Sequence, residues 1–174
     1  MTVNPFATLG LAPSFDLDLA AAEKTHRELS RTLHPDRFVA AGASERRAAL
    51  TKAVEVNEAW RVVRDPIRRA EALLELAGAT TEDEGGRRPD TDPEFLMEML
   101  EQREALAEAK QAKDLARVRA LAGAIETRSR SVEGTLAVRF ARGEAATLVG
   151  TLSELRFYRR FLDEVSAIED DLVA

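Results

Sequence analysis

Apolar residues recur three and four apart through most of the chain, while runs of β-branched residues are scarce, so the pattern predicts helices almost throughout. Pro5 to Leu9 reads as a short opening helix ended by Gly10. Asp16 is placed to cap a second helix running to about Leu33, with Ala22, His26, Leu29 and Leu33 as its buried stripe. Pro35 stops that helix, and a polar loop containing Gly42 follows. Ser44 is placed to cap a third helix to about Arg64, with Ala49, Ala53, Val56, Trp60 and Val63 on one face. Asp65-Pro66 opens a fourth, with the proline at its first position, carrying Ala70, Leu73, Leu74 and Ala77 before Gly78 ends it.

A second helical block follows a break. Asp92 caps a helix with Pro93 in its first turn, predicted to run to about Lys110. The next helix carries Leu115, Val118, Ala122, Ile125, Val132 and Leu136. Gly143 is expected to open the last, with Leu148, Leu152, Leu155, Leu162, Val165 and Leu172. Steps of three and four favour nearly parallel or antiparallel packing, as in a three-helix bundle. The break itself, GATTEDEGGRRPDTDP from Gly78 to Pro93, is turn and linker chemistry with Gly85-Gly86, two prolines and five acidic residues. The expected organisation is therefore all-α: a first helical domain at 1–76, a linker at 77–93 and a three-helix domain at 94–174.

Composition narrows the function classes. The 31 acidic and 25 basic residues leave a net charge of −6, whereas a nucleic-acid binder usually carries a basic surplus, so no nucleic-acid partner is expected. The charge is uneven: residues 1–78 balance 11 acids against 11 bases, so the negative surplus lies beyond them. With no cysteine and only two histidines, His26 and His34, thiolate chemistry is excluded and neither a metal site nor another cofactor is expected. The first residues lack the charged region and apolar core of a signal peptide, and no stretch approaches the ~20 apolar residues of a membrane span, so a cytoplasmic protein without membrane contact is expected.

His34-Pro35-Asp36 lies between two amphipathic helices. Proline cannot continue the helix and fixes one backbone angle, which displays His34 and Asp36 on a rigid tip. An exposed aspartate there suits a charge-assisted bond to a partner's arginine. A histidine and an aspartate could also serve as a general-base unit, but the sequence marks no nucleophile or oxyanion site beside them, so no catalytic residue is assigned. Lys24, Arg27 and Arg31 share one face of the second helix, read either as a docking surface or as solvated charge partly balanced by Glu23 and Glu28. His26 falls on the apolar stripe and reads as a core histidine.

The tripeptide followed by Arg37-Phe38, then Asn57-Glu58-Ala59-Trp60, Asp65-Pro66 and Arg69-Ala70 resembles the J domain, a helical hairpin whose loop carries the HPD tripeptide, over about the first 76 residues. That resemblance implies that His34, Pro35 and Asp36 stimulate the ATPase of a DnaK-type chaperone. Lys24, Arg27, Arg31 and Arg37 would supply the basic docking face. No glycine/phenylalanine-rich linker or CxxCxGxG repeat follows, unlike general DnaJ-type proteins. The run Asp65-Pro66 to Gly78 is similar instead to the DPxxRAxYLLxLxG pattern of the HscB family, with Ala72 in place of the tyrosine. Phe95-Leu96-Met97-Glu98-Met99-Leu100-Glu101-Gln102-Arg103-Glu104 resembles the same family's FLMEQxExRE segment. The family resemblance implies a co-chaperone that binds an IscU-type iron–sulfur scaffold and delivers it to an HscA-type chaperone.

The helix from Pro93 has a property independent of any family. At about 100° per residue, Phe95, Met99 and Leu106 share one face, while Leu96, Met97, Leu100, Glu101, Glu104 and Glu108 fall around the opposite one. One apolar face satisfies a small bundle; the second requires a further explanation. Phe157 lies two residues beyond Leu155, roughly 200° round the last helix, and is expected to join the second face. These residues are the scaffold-binding positions the resemblance implies. Two alternatives fit the same pattern: a J protein with a different client, and a structural helical protein that buries both faces.

Overall fold

The computed structural model describes residues 4–79 and 92–173, all of whose regular elements are helices. The chain divides into two compact units, Met1–Ala79 and Thr80–Ala174. Most of the expected linker, residues 80–91, lies outside the described residues.

The first unit contains α1 (Pro5–Thr8), α2 (Leu19–Thr32), α3 (Ala43–Arg64) and α4 (Pro66–Leu76). Asn4 caps α1 by accepting from the amides of Phe6 and Ala7, and the chain turns away through Gly10 in the left-handed region at φ 67°. The cap of α2 lies two residues later than expected: Asp18, not Asp16, accepts from the Ala21 amide. Helix α3 likewise begins at Ala43 after Gly42, so Ser44 lies inside the first turn and does not cap it. Asp65 caps α4, accepting from the amides of Ile67 and Arg68 ahead of Pro66.

Helices α2 and α3 pack as an antiparallel hairpin, and α1 and α4 pack on α3. The centre holds Phe6, Leu9, Ala22, Val56, Ala59, Val63, Ala70 and Leu74. Each large side chain among them contributes roughly 1.5–3 kcal/mol through removal from water. Only Ala22 of the α2 stripe is fully buried; His26, Leu29 and Leu33 are half-buried. Ala77, expected on the core face of the fourth helix, is exposed because α4 ends one residue before it. Arg69 is buried, with its guanidinium 4.8 Å from the Phe15 ring centroid and Nη1 donating to the Val63 carbonyl at 2.8 Å.

The second unit contains α5 (Pro93–Gln111), α6 (Leu115–Ala141) and α7 (Val149–Val173). Asp92 caps α5 through the Glu94 amide, as its place before Pro93 predicts. Gly143, at φ 74°, closes α6 rather than opening α7; a 3₁₀ turn, Ala145–Thr147, intervenes. The shared core holds Phe95, Met99, Leu106, Ala109, Val118, Ile125, Tyr158, Phe161, Val165 and Ile168. Interhelical ion pairs line its flanks: Glu98 with Arg128, Glu108 with Arg117 at 3.0 Å, Arg119 with Glu169 at 2.9 Å, Arg103 with Glu164 at 3.8 Å and Lys110 with Asp171 at 3.6 Å. No helix among the described residues is long and apolar enough to cross a membrane.

Candidate functional sites

The tripeptide ends α2 as its proline requires. Leu33 closes the helix, and His34 adopts φ −61° and ψ 133°, the extended conformation imposed on a residue before proline. Pro35–Phe38 then form one 3₁₀ turn, which lies against α3 with Phe38 half-buried. The His34 side chain caps this turn: its Nδ1 accepts from the Asp36 amide at 3.3 Å. The Asp36 carboxylate stands 3.5 Å from the same nitrogen, with 85% of its side chain exposed. Backbone and ring therefore hold Asp36 in place while its carboxylate faces water. Neither His34 nor Asp36 hydrogen-bonds to a serine or threonine hydroxyl among the described residues.

Lys24, Arg27, Arg31 and Arg37 are all exposed. Arg27 pairs with Glu23 one turn earlier, an exposed pair that leaves the face predominantly basic. His26, expected in the core, is only half-buried at its edge. Its ring stacks on Trp60 with centroids 5.3 Å apart and planes 13° apart. Its Nε2 lies 3.0 Å from Asn57 Oδ1 and 3.3 Å from Ser30 Oγ, which ties α2 to α3. A groove beside α1, α3 and α4 is lined by Val54, Ala59, Val62 and Leu76 together with Glu55, Glu58 and Glu75. Glu55 and Glu58 are already in ion pairs with Lys52 and Arg61, and the lining holds no histidine or hydroxyl.

On the second unit, α5 presents the two faces its sequence predicts. Phe95, Met99 and Leu106 are buried; Leu96, Met97 and Leu100 are exposed at 41%, 64% and 56%. Glu101 and Glu104 are exposed beside them and form no ion pair with another described residue. Glu108 is also exposed, but it is not a free rim carboxylate because Arg117 holds it.

Phe157 departs from expectation. It is half-buried and packed on the bundle core, meeting Phe95 edge-on at 5.7 Å between centroids. The reason is that α7 packs against both α5 and α6, so two of its stripes are covered and a residue roughly 200° from Leu155 still faces a neighbour. Arg160 lies over the Phe157 ring, 4.4 Å from its centroid. The sequence reading missed it, although a cation three residues from an aromatic on a helix is a legible signal.

Near the start of α5, Glu154 of α7 has its carboxyl pushed above the ordinary range, first by burial and then by the Asp92 carboxylate. The Tyr158 hydroxyl is raised by burial and by Glu154, with Arg128 opposing and Glu98 adding a smaller upward push. Among the described residues no group of three or more histidine, aspartate or glutamate side chains is arranged to hold a metal ion.

The chain is similar to known proteins over nearly its whole length. Residues 91–166 match the family described as the HSCB C-terminal oligomerisation domain. The co-chaperone protein HscB homolog of Cupriavidus taiwanensis is 34% identical over 167 residues, spanning 96% of this chain and 94% of that protein. The homolog from Aeromonas hydrophila is also 34% identical, over 171 residues and 98% of both chains. The chaperone HscB from Vibrio cholerae superposes with a TM-score of 0.85 at 31% identity, covering 98% of this chain and 99% of that one. The crystal structure of human co-chaperone HscB shares the fold, with a TM-score of 0.84 at 22% identity, covering 97% of this chain and 83% of that one.

Proposed function

The chain belongs to the HscB family of co-chaperones, and from that membership we propose that it binds an IscU-type iron–sulfur scaffold and delivers it to an HscA/DnaK-type chaperone, whose ATPase it stimulates. The observation that carries the proposal is the presence in one chain of two unlike exposed surfaces. One is a proline-held acidic tip beside a basic helix face; the other is an apolar face edged with carboxylates.

On this reading the first unit addresses the chaperone. Lys24, Arg27, Arg31 and Arg37 steer the approach to an acidic surface, since a local patch suffices for electrostatic steering even in a net-negative chain. His34, Pro35 and Asp36 then engage it, with Asp36 accepting a charge-assisted bond from a cation of the chaperone. The second unit holds the scaffold. Leu96, Met97 and Leu100 provide the desolvated centre, the edge of Phe157 extends it, and Glu101 and Glu104 form a rim that favours a basic partner, with Glu108 neutralised by Arg117. Methionine, unbranched and polarizable, suits a surface that must adapt to its partner. The protein contributes contacts rather than bond-making groups, and its place of action is the cytoplasm.

The deciding experiment titrates the full-length chain with an IscU-type scaffold and measures the ATPase of an HscA-type chaperone in single turnover. Stimulation by the chain alone, enhanced by scaffold, is the expected result. Stimulation that scaffold never enhances, together with no scaffold binding, would leave a J-domain co-chaperone with a different client.

A further inference from the structure

Arg46 occupies a position that helix electrostatics disfavours. It lies in the first turn of α3, where the positive end of the helix dipole repels a cation, and Arg47 follows it directly. The N-cap residue Gly42 offers no side-chain acceptor to that turn. The Arg46 guanidinium turns back out of the helix: Nη1 donates to the Ala41 carbonyl at 2.8 Å and reaches the Val39 carbonyl at 3.5 Å. Those carbonyls belong to the segment joining the tripeptide's 3₁₀ turn to α3. The Ala41 amide in turn donates to the Phe38 carbonyl at 3.0 Å, closing the segment onto the end of the turn. The tip is thus held on two sides, by the His34 ring at its start and by Arg46 at its exit.

We propose that Arg46 is a positioning residue for the chaperone-triggering tip, acting through the Val39–Gly42 backbone and not by touching the chaperone. The proposal rests on the reading of His34-Pro35-Asp36 as the trigger. Without the guanidinium, the exit segment samples other conformations, and the fraction of molecules with a competent tip falls. A partner that binds only the competent state then shows an apparent affinity reduced by that fraction, while the saturated complex is unchanged.

The test compares wild type, Arg46→Gln and Arg46→Lys as full-length proteins, with an HscA-type chaperone as partner. Arg46→Gln is expected to raise the half-saturating concentration for ATPase stimulation several-fold, with the same plateau and the same salt dependence as wild type. Arg46→Lys, which keeps one donor within reach of Ala41, is expected to recover part of the loss. Amide hydrogen exchange over residues 39–42 is expected to accelerate in Arg46→Gln, with an unchanged melting temperature. Unchanged exchange in that variant overturns the proposal. So does a flattened salt dependence, which would mean that Arg46 meets the chaperone's charge directly. A wild-type chain that fails to stimulate would sink the co-chaperone reading instead, and the exchange measurement still decides whether Arg46 holds the segment.

Discussion

Phe157 is enclosed on two sides by unlike groups: its ring meets Phe95 edge-on at 5.7 Å between centroids and carries the Arg160 guanidinium 4.4 Å from its centre. It belongs to the bundle core and to the outer surface at once. Leu96 and Met97, in contrast, are exposed on α5. The two kinds of position are therefore expected to respond differently to serine. Leu96→Ser with Met97→Ser should change stability by no more than about 0.5 kcal/mol, as surface substitutions do, yet lose about 2 kcal/mol or more of scaffold binding. Phe157→Ser should cost about 1–3 kcal/mol of stability, because it opens a gap beside Phe95. Thermal melts and scaffold titrations on the same samples separate these effects. A Leu96/Met97 variant that melts normally and binds scaffold with full affinity removes α5 from the interaction.

The trigger can be tested by charge alone. Asp36→Asn keeps the size of the side chain and the backbone amide that donates to His34. With the Asp36 side chain 85% exposed, folding and scaffold binding should be untouched. Stimulation of the chaperone ATPase should largely disappear in single turnover, because the charge-assisted bond is lost. Undiminished stimulation would refute the role of this carboxylate.

Arg27→Glu combined with Arg31→Glu is expected to slow association with the chaperone and to abolish its salt dependence. The substitution also sets a second carboxylate beside Glu23, where a like-charge pair one turn apart costs only about 0.2–0.5 kcal/mol. A folded variant whose association rate matches wild type at low salt would reduce this face to solvated charge.

Glu154 gives the bundle a pH dependence with a defined sign. Its pKa in the folded chain is raised above the ordinary 4.5 by burial and by Asp92, so the folded state holds the proton more tightly than the unfolded state. The stabilising contribution is complete below the unfolded value and is lost as pH rises through the raised folded value. Glu154→Gln, permanently uncharged, should melt higher than wild type at neutral pH, with the difference shrinking as pH falls toward 4.5. Parallel melting curves across that interval would show that the carboxyl is not under strain.

Helix identity was legible because periodicity survives in each segment: the stripe from Ala49 to Val63 and the one from Leu148 to Val165 both mark faces that pack inward. The α5 surface was legible for a related reason, since one helix carried more apolar positions than one neighbour could cover. Helix starts were read less well. Asp16 and Asp18 are equally good caps by type, so residue type alone could not select the later one that the structure uses. Phe157 was misplaced because periodicity measures angle from a known core residue without counting how many helices surround the axis. The contact of His26 with Asn57 and the path from Arg46 to Ala41 depend on how the hairpin closes, which spacing alone does not specify.

The flanking ion pairs of the bundle also decide what a distant partner senses. Arg103 and Lys110 are the basic residues of α5, one heptad apart, and both are spent on α7, against Glu164 and Asp171. Alignment of α5 along α7 therefore sorts the helix by charge, drawing its cations to the seam and leaving Glu101 and Glu104 outward. A slip of one turn would unpair both cations and blunt the negative field of the outer face. The same specification that fixes how the helices mate thus fixes the negative sign of the potential on the outer face of α5, which would draw in a basic protein and repel an acidic one.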